Sequence, residues 1–231
     1  MTIASGSRRR FLSCAAALPL LGMVPTAGIA QVGRRYRIEL VVFEHLGADS
    51  RAFMDAVARP LDPDLSGFGI GEGPIRPSLE GFELDRVADR LERSGHGRVL
   101  ARIAWDQVGR GFDSAPWIRL QEGRYLGPRL PEPFDQASEQ ATAPIAEVGL
   151  LPMLPQQERY ELEGRLRVWV GRFLHLETDL IFHATQAVTS EPQAHPAVPV
   201  RGSQRMNSGE DLFYLDHPVV GIIARVTRID D

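Results

Sequence analysis

His175, Glu177 and Asp179 occupy alternate positions of one extended stretch, so their side chains project from the same strand face. A histidine with two carboxylates can hold a divalent metal or exchange protons with a substrate, which would suit a metal-assisted hydrolase. Same-face neighbours on a strand stand roughly 6.5–7 Å apart, which is loose for ligation. Arg165 and Arg167 lie in the same stretch and can neutralise both acids. The set therefore reads as a solvated face, and no metal, cofactor or catalytic residue is assigned to it. Asp216-His217-Pro218 is the other pairing that invites chemistry. Adjacent residues of an extended segment point to opposite faces, so Asp216 would not orient His217 as a dyad requires. The tripeptide reads instead as a turn in which Asp216 bonds local backbone amides and Pro218 fixes φ, with His217 left to a binding surface. No Gly-x-Ser-x-Gly, His-Glu-x-x-His or Ser-x-x-Lys motif is present, so hydrolase and transpeptidase readings lack a nucleophile. The glycine-rich run Gly67 to Pro74 has neither a strand leading in nor a following Lys-Ser/Thr, and reads as a plain loop.

The histidine and its acids belong to Leu162–Phe182, where a period of two predicts a half-buried antiparallel sheet. Leu166, Val168, Val170, Leu174, Leu176, Leu180 and Phe182 share one parity; Arg165, Arg167, Trp169, Phe173, His175, Glu177 and Asp179 share the other. A two-residue turn at Gly171-Arg172 would bring opposite faces together. The parity fits either a three-residue loop, Gly171 to Phe173 with Val170 opposite Leu174, or one long strand bent at Gly171. Around this centre, Tyr36–His45 reads as a buried first strand, and Arg51–Ala58 as a short helix. Phe82–Arg93 reads as an amphipathic helix stopped at Ser94-Gly95. Arg98–Val108 reads as a strand with Val99, Ala101, Ile103 and Trp105 on one face, and Trp117–Gln121 as a short strand. Asp211–Leu215 and Val219–Arg228 form a hairpin-like pair around the Asp-His-Pro turn. Gly127–Pro155, with a helix around Glu147–Met153, and Thr185–Pro199 are otherwise irregular. The fold class is α+β: one domain dominated by an antiparallel β-sheet, with one or two helices packed on it. Of the three tryptophans, Trp169 sits on the polar parity beside Phe173, and is the aromatic expected to meet a partner.

The first thirty residues stand apart from this pattern. Arg8-Arg9-Arg10, an apolar run Phe11–Val24 and small residues at Gly28-Ile29-Ala30 describe a cleaved export signal, leaving a mature chain, 31–231, without an integral membrane segment. Ser7–Leu12 also fits the twin-arginine pattern, and both export routes stay open. Cys14 is the only cysteine and falls within the leader, so the mature chain has no disulfide and no thiol chemistry. All 26 basic residues are arginine; without the leader's three, 23 face 30 acids, a net −7 that argues against nucleic acid as a partner.

Four segments taken together resemble the CsiV family of periplasmic cell-shape proteins. Tyr36–Phe43 is similar to that family's opening strand, and Ala104-Trp105-Asp106-Gln107 to its central strand. Gly164 with Gly171–Leu176 is similar to its long aromatic-Leu-His-Leu strand, and Ser208-Gly209-Glu210 with Tyr214–Pro218 and Gly221 to its C-terminal signature. The resemblance implies a non-enzymatic periplasmic protein that binds peptidoglycan or its synthesis machinery and supports cell-wall assembly and cell shape. Peptidoglycan and a lipoprotein activator of a class A penicillin-binding protein are the partners it implies. The candidate binding surface comprises Trp169, Phe173, His175, Tyr214 and His217.

Overall fold

The computed structural model describes residues 32–72, 75–129, 158–184, 196–207 and 211–229. In chain order the elements are β1 (Arg35–His45), α1 (Ala48–Val57), β2 (Phe68–Gly69), β3 (Arg76–Pro77), α2 (Asp85–Ser94) and β4 (Gly97–Val108). β5 (Ile118–Pro128), β6 (Glu158–Val170), β7 (Leu174–His183), β8 (Ala197–Met206), β9 (Phe213–Leu215) and β10 (Val220–Ile229) follow. The strands form two five-stranded sheets, A in the order β3-β4-β1-β10-β9 and B in the order β2-β5-β6-β7-β8. Every pairing is antiparallel except the short β2–β5 contact. The α+β class expected from the pattern is present, with the antiparallel strands divided between two sheets instead of gathered in one.

One buried face of each sheet meets the other. Ile38, Leu40 and Val42 of β1 and Ile222 and Val226 of β10 share a core with Leu166, Val168, Leu176 and Leu180 of sheet B. Trp105, expected on a strand, is fully buried in the same core, where its indole N–H donates to Gln107 Oε1 at 2.8 Å. β1 is apolar on both parities from Leu40 to Phe43, where α2 covers the outside of sheet A. Phe82, Leu84 and Ala88 close over Val41 and Ala104, flanked by Val99 and Ile223. α2 ends where Gly95 takes φ +69°, a left-handed cap that a glycine adopts without steric cost.

The β6–β7 connection is the three-residue loop: Val170 faces Leu174, and Trp169 faces His175. Gly164 interrupts the apolar parity because φ is +129° there and a Cβ would collide with the backbone of Asp179 and Leu180.

Three expectations need correction. Val99 does not share a face with Ala101: a β-bulge against Val42/Phe43 inserts Leu100, which turns Val99 toward α2. β5 runs to Pro128, well past Gln121, with Gly123 and Gly127 at positive φ where its register with β6 shifts. Residues from Ala197 onward form β8, a strand the prolines concealed; Pro199 is accommodated because β8 is an edge. The leader, the Glu147–Met153 helix, most of Gly127–Pro155, residues 185–195 and Ser208-Gly209-Glu210 lie outside the described residues.

The segment between α1 and β2 crosses sheet B on its outer side. Arg59 exchanges backbone hydrogen bonds with Ala197 of β8 at 2.9 and 3.0 Å. Asp62 accepts from Arg129 at 3.0 Å, Asp64 pairs with Arg165 at 2.7 Å, and Phe68 donates to the Trp117 carbonyl at 2.9 Å. This strap reaches from one edge of the sheet to the other. Arg129 links it to Glu163, whose carboxylate also meets His183 at 3.1 Å, and both of those side chains are buried. The half of the outer face nearer the β6–β7 loop lies beyond the strap.

Candidate functional site

That half carries alternating arginines and rings. On β6, Arg165 and Arg167 point outward with Trp169; on β7, His175, Glu177 and Asp179 answer them across the pairing. The imidazole of His175 lies flat on the indole of Trp169, centroids 3.9 Å apart and planes 7° from parallel. Phe112, from the β4–β5 loop, meets Trp169 edge-on at 5.3 Å. The Arg167 guanidinium is packed against two rings, Phe112 at 4.1 Å and Trp117 at 4.4 Å, while pairing with Glu177 at 2.7 Å. Arg165 lies 4.5 Å from the Trp117 ring, and Arg205 on β8 lies 4.7 Å from that of Phe173. A shallow groove of about 390 Å³ runs between Trp117, Arg165, Asp179 and the exposed Arg201.

Arg165 and Arg167 are each fixed twice, by a carboxylate and by a ring, so these two have little rotamer freedom left to lose on binding; Arg201 is held by Asp179, and Arg172 and Arg205 lie against the Phe173 ring. Arg165, Arg167, Arg172, Arg201 and Arg205 outnumber Asp64, Glu177 and Asp179, which makes a local cationic patch on a chain of net negative charge. Partial burial, with the Arg205 charge added, holds the His175 imidazole below its ordinary pKa, so it stacks as a neutral ring near neutral pH. Among the described residues, no group of three His, Cys, Asp or Glu side chains is arranged to hold a metal. Asp179 binds Arg201 at 2.6 Å and Glu177 binds Arg167, while His175 faces Trp169, so the three side chains do not converge.

Of the five residues expected on one surface, Trp169, Phe173 and His175 are brought together here. Tyr214 and His217 are not. Val170 donates to the Arg110 carbonyl, beside the start of β1, whereas His45 at the end of β1 donates to the Val219 carbonyl next to His217. The two groups thus sit at opposite ends of an eleven-residue strand, roughly 35 Å at about 3.3 Å per residue. Tyr214 stacks along Phe43 at 6.3 Å and donates its hydroxyl to Asp216 at 2.8 Å; burial, then the Asp216 carboxylate, pushes its pKa up to about 12. A side chain at Gly221 would strike the Phe43 and Tyr214 rings, which accounts for a glycine in mid-strand. Asp216 does not bond the turn's amides as expected. His217 does so instead, accepting the Val219 N–H on Nδ1 at 3.3 Å, with its ring edge-on to Phe53. Burial, reinforced by His45, outweighs Asp216 and lowers its pKa.

Sequence reasoning placed Arg165 and Arg167 on this face as partners of its acids, and both pairs are present, but it missed Phe112, Arg201 and Arg205 as parts of the surface. The polar parity of β6 held a signal for Arg167, but Phe112 lies in a loop with no period, and β8 was hidden by its prolines. No described helix is long and apolar enough to cross a membrane. No curated protein and no solved structure matches the chain. A family model described as "Peptidoglycan-binding protein, CsiV" matches residues 13–229, which takes in every described strand and both helices. The chain belongs to the CsiV family of peptidoglycan-binding proteins.

Proposed function

We propose that this protein is exported by its first thirty residues and acts in the periplasm as a non-catalytic binder of peptidoglycan, supporting cell-wall assembly and cell shape. The outer face of sheet B beyond the strap is the surface we assign to it. The carrying observation is the flat Trp169–His175 stack set among arginines already held by rings and carboxylates. Sugar rings stack on indole faces through their C–H groups, and guanidinium N–H groups donate to acetamido carbonyls and ring hydroxyls. Phe173, with Arg205 over its ring, extends the surface toward the β8 edge. Tyr214 and His217 belong to the opposite end, and in this reading they do not contact the glycan. A lipoprotein activator of a class A penicillin-binding protein is the protein partner the family resemblance implies. Export followed by sedimentation with purified sacculi tests the reading. The mature protein should pellet with sacculi, and Trp169→Ala should leave a larger share in the supernatant while folding normally. Wild-type protein that remains soluble beside sacculi would overturn it.

A further inference from the structure

The end of the sandwich that holds Tyr214 and His217 also holds a cavity of about 460 Å³, within the roughly 300–1,000 Å³ span of small-molecule sites. α1 forms one wall, and the ends of β1 and β7 form the others. Its floor is apolar: Met54, Phe182 and Val219 are all buried there. Its rim is charged with both signs. Arg51 and Asp55 are one helical turn apart on α1 and both exposed, yet they make no ion pair with each other. The Arg51 side chain donates only to the Leu46 carbonyl, at 3.3 Å, and Asp55 has no side-chain partner among the described residues.

Glu44 adds a second carboxylate to the lining, beside Asp55. Arg98 binds Glu44 at 2.6 Å and also binds Glu161, so one guanidinium serves two carboxylates. Glu161 is fully buried, and Glu44 lines the cavity. An occupant that matches these walls carries an ammonium for Glu44 and Asp55, a carboxylate for Arg51, and a small aliphatic group for the floor. N-acetylated glycan offers no ammonium. A short peptide with a diamino acid and alanine residues offers all three.

We infer that this cavity binds the stem peptide of peptidoglycan, with Arg51 receiving a peptide carboxylate and Asp55 and Glu44 receiving the amine of its diamino acid. The inference rests on the peptidoglycan reading for the identity of the peptide, but it uses a different site from the glycan-facing surface. Arg51 and Asp55 stand at an exposed rim, so each contact is modest and its loss weakens binding about fivefold.

Calorimetric titration of the whole mature chain with a free stem tetrapeptide of alanine, glutamate, diaminopimelate and alanine tests this. Saturable binding is expected, weakened about fivefold by Arg51→Gln and by amidation of the terminal carboxylate, with no further loss when the two are combined. Asp55→Asn and acetylation of the diaminopimelate amine should form a second non-additive pair. Unchanged melting temperatures in both variants exclude unfolding as the cause. Absence of saturation, equal affinity in both variants, or displacement of the tetrapeptide by peptide-free glycan strands would overturn the inference. Sedimentation with sacculi is scored separately, so a failed cavity and a failed peptidoglycan reading give different results.

Discussion

The two outer faces of the sandwich start from the same strand geometry and end differently. On sheet A the outward patch Val41, Val99, Ala104 and Ile223 is apolar and is sealed by Phe82 and Leu84 ahead of α2 and by Ala88 on it, beside outward ion pairs such as Arg37–Glu39 and Arg102–Asp85. On sheet B the outward positions Arg165, Arg167, His175, Glu177 and Asp179 pair across the strands or stack on rings, with the strap beside Arg165 and Phe112 and Trp117 over Arg167 in place of a helix. An apolar outer face must recruit a second element to leave water, and its contribution is stability. A face whose charges satisfy one another remains at the surface with its side chains already placed. The strap marks the boundary on sheet B. On one side of it Glu163 and His183 are buried; on the other Trp169 and His175 stay reachable.

Substitutions in the covering layer of one face and in the ion pairs of the other should separate them. Leu84→Ala opens a cavity under α2 and should cost about 3 kcal/mol in urea unfolding. Glu177→Gln on sheet B leaves Arg167 on its two rings and should cost less than about 1 kcal/mol. Equal losses would erase the distinction. Acid should weaken the sheet B side next. Burial opposes ionisation of Glu161, but hydrogen bonds from Arg98 and the Arg124 N–H outweigh it. Burial likewise opposes Glu163, and is outweighed by His183, the Tyr160 N–H and Arg129. Both carboxyls are therefore held below the ordinary value of 4.5, so their stabilisation is complete above that pH and disappears as pH falls through the lowered values. Unfolding free energies followed from neutrality into acid should show this fall, and a flat profile would contradict it.

Trp169→Ala should reduce affinity for sacculi about tenfold, measured by depletion from the supernatant. Its stability cost should be smaller than that of Leu84→Ala. The smallest effect is a gain. Glu122 is pushed up by burial and has no partner among the described residues. Glu122→Gln should raise stability by less than about 1 kcal/mol at pH 7, and the gain should vanish below 4.5, where the native carboxyl is neutral in both states. A gain that persists in acid would assign the effect to packing.

Parity made the centre of the molecule readable before any coordinates. The side chains of Val170 and Leu174 had to share a face, which allowed a three-residue loop, and that is the loop present. The unbroken apolar run of β1 signalled a strand covered on both sides, and the periodic residues of α2 supplied the cover. Parity carries no information on which sheet a face-sharing strand joins, so two sheets could not be told from one. It also fails at bulges, as Leu100 shows, and where proline interrupts an edge, as Pro199 shows. The His-acid face was legible as three residues on one side of a strand, but its arginine partners on β8 and its ring partner Phe112 come from distant segments. The cavity behind α1 had no sequence signature, because Arg51, Phe182 and Val219 meet only after the sheets close.

β1 lies between β4 and β10, and it is bonded to β10 from Arg35 opposite Ile229 to Glu44 opposite Val220. A chain emerging from its N-terminal side makes β1 early and then waits until Val220 and beyond for that neighbour. Throughout the interval one edge of β1 offers bare amides and carbonyls, the condition under which strands pair with the wrong partner. Closure of sheet A is therefore a late, single event that depends on contacts distant in sequence, and such topologies fold slowly. The arrival of β10 is the step that closes this exposed edge of β1.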